Sequence, residues 1–514
     1  MWEAPTEKAA LPSSSRPADF RYTDSMQSDR DLNYYFVGKG NAISLNPESA
    51  DLIRNMVHMD HLVGTLLKEK FGNTGQSQPY MASDWSTSED RLTWDFYLKP
   101  GLKCEDGTPI DAPAFVKSFN RTLKLFANDL AGFNRLKGWG KFKSSDVPLE
   151  GIQSKSSSHL QFFFDSPPDG FAEFLTMPFY GFYCEANFEN GKWRNQKHIV
   201  SSGPYRLEPD SVTDDRVVLL RRNDFPLVAA AAPERIIMQS IEASDAARLK
   251  NKKTILYYRQ NENAPAPEGY SIFQGAPIFL TALVLSPHRK TVFDRIENRR
   301  AFREAIQKSM KEVTPPGTGA SKLFPGGRFY ISGQANHSEP IEGAKSVNFV
   351  PSEPLKILRF GIRSPLGLYT QEIVIRALKQ LNWPYEMIDG DYKNPDFLKK
   401  RNTNTEFDIR LANVDIGGNA ENWVINMMFC SQLAISFPDA SGKICQLVKE
   451  HEGRGGKYDT GEYLAQFEKI VADDSAVLPL FHTGSYWLAS PDIDLEKILE
   501  PSLVVPRLDQ LRFK

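Results

Sequence analysis

The run His58-Met59-Asp60-His61 sets two imidazoles and a carboxylate within one turn of a predicted helix, a spacing able to ligate a metal ion from one face. Four cysteines, Cys104, Cys184, Cys430 and Cys445, form no Cys-x-x-Cys pair and no Cys/His cluster of zinc-ligand spacing. An even count permits disulfides in an oxidising compartment and leaves the pairing open. Cys430 and Cys445 flank Phe437-Pro438-Asp439-Ala440-Ser441-Gly442, a turn able to bring their ends together. Small buried apolar side chains are the alternative role for Cys104 and Cys184. Catalytic constellations are missing from the sequence: it has no Gly-x-Ser-x-Gly elbow, no Walker loop and no His-Glu-x-x-His. Gly317-x-Gly319 lacks the third glycine and the preceding strand of a dinucleotide site. A hydrolase is therefore disfavoured, and neither a cofactor nor a metal is expected.

The elements that would carry such residues form a large chain. At 514 residues it exceeds the roughly 250–300 at which a single core stops growing, so two large lobes or three subdomains are expected. Net charge is −2, from 62 basic and 64 acidic residues, which argues against a chain built mainly to grip nucleic acid or anionic membrane. Lys250-Asn251-Lys252-Lys253 and Lys399-Lys400-Arg401 read as solvated helix ends or turns. No apolar run approaches the ~18 residues of a membrane span. Phe279–Leu285 and Leu227–Ala232 read instead as buried strand or helix segments.

Strand-like and helix-like segments alternate, which favours an α/β architecture. Leu92–Leu98 alternates large apolar and polar residues as a half-buried strand does, and Lys99-Pro100-Gly101 breaks it. A tight turn follows at Glu105-Asp106-Gly107-Thr108-Pro109. Asp111 then caps a helix with Pro113 in its first turn and Phe115, Val116, Phe119 and Leu123 as its apolar stripe. Arg216–Arg222 and Arg235–Ile241 read as strands, and Asp245–Lys250 as a short helix. Three further helices are marked by Phe302, Ala305 and Ile306, by Ile373 to Leu381, and by Tyr463 to Val471. The Gly- and Pro-rich stretches Pro315–Gly327 and Gly333–Pro354 are the clearest long loops.

Tyr97-Leu98-Lys99-Pro100-Gly101, followed by Asp106-Gly107-Thr108-Pro109 and the capped helix, resembles the signature of the family 5 solute-binding proteins, the oligopeptide/dipeptide-binding group. Other blocks follow in the family's order. Ile43-Ser44-Leu45-Asn46-Pro47 is similar to its early leucine-aspartate-proline turn, with Asn46 in place of aspartate. Ser202-Gly203-Pro204-Tyr205 and Val217–Phe225 resemble the strands that come next. Arg235–Lys253 and Phe293–Met310 resemble a strand-then-helix and the helix that opens the second lobe. The resemblance spans about residues 30–490, and the ordered series is more specific than any one block.

This resemblance implies a two-lobed periplasmic-binding-protein clamp of class II type, with an extra domain and a hinge between the lobes. Residues 1–29 would be a flexible tether. Residues 30–44, 165–265 and 484–514 would form the first lobe, 45–164 an extra domain packed on it, and 266–483 the second lobe. It implies capture of short peptides or a related small solute, and delivery to the permease of an ABC importer by a monomer that binds no nucleic acid.

The family's backbone-pairing segments fall on Gly40, Asn41 and Ala42 and on the loop Asn413–Asn419, where Asn413, Asp415, Gly417 and Asn419 are the expected contacts. Trp423 fits the end of that loop pattern. The loop departs from the family, because Asn413 stands where tryptophan is usual and the amine-binding aspartate falls on Ile416. Asp415, one residue away, is then the expected partner of a peptide ammonium. Phe133, Phe481 and His482 lie in segments that line the cleft in relatives, with packing as the competing role. The resemblance also implies a Cys430–Cys445 disulfide, and it sets His58–His61 on an ordinary helix.

After Met1-Trp2 the sequence is polar and rich in Pro, Ser and Ala to about Asp19. A tether left after removal of a leader, with lipid attachment in an extracytoplasmic compartment, is one expectation. A cytoplasmic ligand sensor built on the same clamp is the other.

Overall fold

The structure, a computed structural model, describes residues 29–37, 45, 52–70, 76–125, 133–168, 170–194, 197–246, 249, 253–258, 267–275, 279–286, 292–314, 324–325, 329, 350–360, 365–390, 406–415, 424–430, 437–453, 460–499 and 505–514. Strands whose two faces are both buried organise it. β1 (Asp31–Val37) turns Leu32, Tyr34 and Phe36 to one core and Tyr35 to another. It lies parallel to β12 (Arg235–Ile241) and β13 (Thr254–Tyr258). With β10 (Tyr205–Leu207), β11 (Arg216–Arg221), β14 (Ser271–Gln274) and β21 (Tyr486–Ala489) they make a seven-stranded sheet in the order β10-β11-β12-β1-β13-β21-β14. β14 falls inside the segment expected to be second lobe, yet it pairs with β21 in this first sheet.

The second large sheet has the order β16-β20-β15-β19-β17-β18. Its strands are β15 (Phe279–Leu285), β16 (Phe324–Pro325), β17 (Leu355–Leu358), β18 (Tyr385–Ile388), β19 (Ile409–Asp415) and β20 (Val477–Thr483). β15 is buried along its whole length, which explains its unbroken apolar sequence. Leu280, Ala282 and Val284 face the core beneath α8 (Lys443–Gly453) and α9 (Thr460–Asp474). Leu283 and Leu285 face the core beneath α6 (Ile296–Glu312) and α7 (Pro365–Gln380). Helices therefore cover both faces, as an α/β layer requires.

A third sheet, β4-β5-β7-β6, is built from β4 (Ala82–Thr87), β5 (Thr93–Leu98), β6 (Ile152–Ser154) and β7 (His159–Phe163). Two small ribbons join β2 (Leu67–Glu69) to β3 (Ser77–Pro79), and β8 (Phe188–Glu189) to β9 (Lys192–Trp193). α2 (Ala112–Leu125) packs inside the third sheet. Its Asp111 carboxylate accepts the Ala114 N–H at 2.8 Å, and Phe115, Phe119 and Leu123 are buried as the stripe predicts. Gly107, at φ +87°, supplies the left-handed residue that the Asp-Gly-Thr-Pro turn needs.

Two expectations differ from the fold. Leu227–Ala232 is a half-buried series of turns rather than a strand or helix. Its backbone is drawn to side chains and the C-terminus: the Ala230 carbonyl accepts from Arg30 and Arg221, and the Ala229 N–H donates to the Asp509 carbonyl. The helix expected at Asp245–Lys250 is one turn, α5 (Ala243–Ala246), among the described residues. Both predicted long loops lie mostly outside them.

The extra sheet is fastened to the first by buried groups. The Arg222 guanidinium donates to the carbonyls of Lys103 (2.9 Å), Ser201 (3.2 Å) and Gly203 (3.2 Å) and to the Asp224 carboxylate. Cys104 and Cys184 form a disulfide beside it, so the role left open in the sequence is a bond rather than simple packing.

Candidate functional site

The chain passes from the first large sheet to the second between β14 and β15 and returns between β20 and β21. Register sets the two passages side by side: Gln274 stands opposite Tyr486 in one sheet, and Phe279 opposite Thr483 in the other. Between them the Gly275 N–H donates to the Ser485 carbonyl at 2.8 Å. Ser485 is buried, and its hydroxyl lies 3.1 Å from the Tyr257 hydroxyl of β13. Phe279, though paired in the second sheet, packs into the core of the first.

The same register locates the strand ends that carry the candidate binding segments. Phe36 stands opposite Tyr257, Tyr257 opposite Trp487, and Trp487 opposite Phe273. The C-terminal end of β1 is therefore level with the passages. Gly40, Asn41 and Ala42, which follow it, lie outside the described residues. In the second sheet Asp415, the last residue of β19, stands opposite Phe279. It too is level with the passages. Gly417, Asn419 and Trp423 lie outside the described residues. In α/β sheets, ligands sit beyond such carboxyl ends.

Other predicted residues are placed as follows. The side-chain oxygen of Asn413 accepts the Thr281 hydroxyl at 2.8 Å, and Phe481 stands on the other side of Thr281 in register. Phe481 is buried in the core beneath α6 and α7, 6.1 Å from the Tyr369 ring. His482 is buried and holds its Nε2 2.9 Å from the Phe329 carbonyl, to which it donates. Burial lowers the His482 pKa, against the opposing pull of that carbonyl. The His482 Nε2 is therefore taken by a backbone carbonyl, as in the packing role. Phe133 is brought to none of these residues. It is buried in the extra domain's core, stacked on Tyr180 at 4.6 Å and against Phe119 and Phe171, which makes it packing rather than lining.

The possible metal-ligating run is also absorbed by structure. It lies on α1 (Leu52–Leu62), where Asp60 pairs with Lys68 and the His61 Nδ1 donates to the Val57 carbonyl at 2.6 Å. Among the described residues no group of three or more His, Cys, Asp or Glu is arranged to hold a metal. Cys430 and Cys445 are disulfide-bonded, and both sit against the core beneath α8 and α9.

Sequence reasoning missed Gly275, Tyr257, Thr483 and Ser485. The one available signal was Thr483-Gly484-Ser485, a short run of small residues between two apolar strands.

Two sheets joined by adjacent passages define a two-lobed clamp that holds a solute between its halves. The family described as bacterial extracellular solute-binding proteins, family 5, matches residues 76–336 through its middle-region profile, and the chain belongs to that family. It is 26% identical over 485 residues to the periplasmic oligopeptide-binding protein OppA of Escherichia coli K12, covering 87% of this chain and 86% of that one. A stretch of 154 residues, 28% of each chain, is 32% identical to the periplasmic murein peptide-binding protein MppA of the same strain. The solved structure of the E. coli murein tripeptide binding protein MppA superposes with a TM-score of 0.72 at 18% identity, over 94% of this chain and 98% of that one, and shows the shared fold. No described helix is long and apolar enough to cross a membrane.

Proposed function

We propose that this chain captures a short peptide between its two lobes, outside the cytoplasm, and hands it to the permease of an ABC importer. The observation that supports the reading is the level placement of the ends of β1 and β19 beside the passages, one strand end from each lobe. Extended backbone segments there would pair with a peptide's main chain, giving affinity without choosing its side chains. Asp415 would neutralise the peptide ammonium, whose enclosure without a counter-charge is costly. The peptide ligands in the names of the OppA and MppA relatives support this class of solute. Two disulfides favour an oxidising compartment over a cytoplasmic sensor. The protein would act as a monomer, tethered at its N-terminal segment.

A thermal-shift screen of di- to pentapeptides, with sugars, nickel and haem as controls, tests the reading. A peptide at about 100 times its dissociation constant should add roughly 2.7 kcal/mol of stability. No shift with any peptide, beside a shift with a control, would overturn it. Asp415→Asn should weaken free peptides far more than N-acetylated ones; equal losses would remove Asp415 from the role.

A further inference from the structure

We propose that the α2 and α3 (Trp139–Ser144) face of the extra domain is a docking surface for an anionic lipid bilayer. The whole-chain charge of −2 conceals this face, because charge is unevenly distributed. Lys117 and Lys124 stand seven residues apart on one stripe of α2. α3 abuts the end of that stripe. The Lys124 ammonium donates to the Ser145 carbonyl at 2.9 Å and to Asp146 at 2.7 Å, and lies 5.4 Å from the Phe142 ring. In α3, Phe142 is buried while Lys141 and Lys143 flank it, both exposed, and Lys137 is exposed just before the helix.

Of the nearby carboxylates, Asp146 is taken by Lys124, Glu185 pairs with Arg121, and Glu150 packs over Gly138. Lys117, Lys137 and Lys141 have no ion-pair partner among the described residues. Trp139 is half-buried, with the Lys143 ammonium 5.5 Å from its ring.

The composition of the face selects lipid over an acidic protein. Ammonium groups act as point charges that suit a fluid array of phosphates, whereas geometric recognition of carboxylates favours guanidinium forks. The one arginine of α2 and α3, Arg121, is occupied by Glu185 and by the Phe188 ring. A half-buried tryptophan beside lysines suits the headgroup layer. A six-residue helix whose apolar side chain is already buried cannot insert deeply, so the contact is peripheral, electrostatic and salt-sensitive. This inference does not depend on the identity of the transported solute.

Vesicle co-sedimentation of the full chain tests it, using phosphatidylcholine alone and with about 30 mol % phosphatidylglycerol. Binding should appear only with the anionic lipid and be lost by roughly 0.5 M NaCl. Lys137→Glu, Lys141→Glu and Lys143→Glu together should reduce partitioning at least about tenfold at low salt. The same change of charge at Lys308, Lys311 and Lys379, in α6 and α7, should leave most of it. Equal binding to both vesicle types, equal loss in both triple variants, or tighter retention on soluble polyglutamate than on vesicles would each overturn the proposal. Thermal melts of both variants confirm folding.

Discussion

The Gly275 N–H and the Ser485 carbonyl are joined by a 2.8 Å hydrogen bond where the two passages between lobes run side by side. This bond, with the 3.1 Å contact between the Ser485 and Tyr257 hydroxyls, ties both passages to the first sheet. Gly275→Pro removes the N–H that donates to the buried Ser485 carbonyl. It should cost about 1–3 kcal/mol in urea unfolding. An unchanged midpoint would mean that the passages are held by something else.

Arg222 should be among the most sensitive positions outside the cleft. Its guanidinium serves three carbonyls that come from the extra domain and the first lobe. Arg222→Met removes the charged donor from all three, leaving the Ser201 carbonyl only the Glu105 N–H, and should cost roughly 3–5 kcal/mol in lost charge-assisted hydrogen bonds. A loss below about 1 kcal/mol in the same assay would contradict this account of how the domain is attached.

The disulfides differ in the chain they close, 80 residues for Cys104–Cys184 and 15 for Cys430–Cys445. On loop entropy, replacing the first pair by serine should cost about 4.5 kcal/mol and the second about 3 kcal/mol. Chemical denaturation of the two double variants checks the ranking. The reverse order would mean that native-state contacts outweigh the entropy of the unfolded chain.

Stability should fall as pH drops below about 6.5. Burial lowers the pKa of His61, which faces Asp60, Asp509 and Lys68, and burial likewise lowers that of His482. The folded state therefore binds fewer protons than the unfolded chain. The contribution is fully present above the ordinary histidine value of 6.5 and is lost as pH falls toward the lowered folded values. Melting temperatures at pH 7 and pH 5 should show the drop, and the paired variant His61→Gln with His482→Gln should show less of it. A melting temperature that rises on acidification would contradict the assignment.

Much of the framework could be read from the chain. The strands at Arg216 and Arg235, the Asp111 cap and the α2 stripe follow local rules, and they hold because tertiary packing agrees with them. Leu227–Ala232 misled because its apolar content is spent in turns whose carbonyls are claimed by Arg30 and Arg221. His482 and Phe133 stayed open between lining and packing for another reason. Residue type marks an aromatic or titratable group, but only the three-dimensional neighbours show that Phe329 and Tyr180 already occupy them. The passages escaped notice because their pairing joins residues about 200 positions apart, Gln274 with Tyr486 and Phe279 with Thr483, which no sequence window spans.

Small-angle X-ray scattering with and without a saturating peptide tests the central claim most directly. The account predicts a smaller radius of gyration in the bound state, as the lobes turn about the Gly275–Ser485 region and shut over the ligand. Identical scattering curves from the free protein and from protein shown by calorimetry to be peptide-saturated would contradict it.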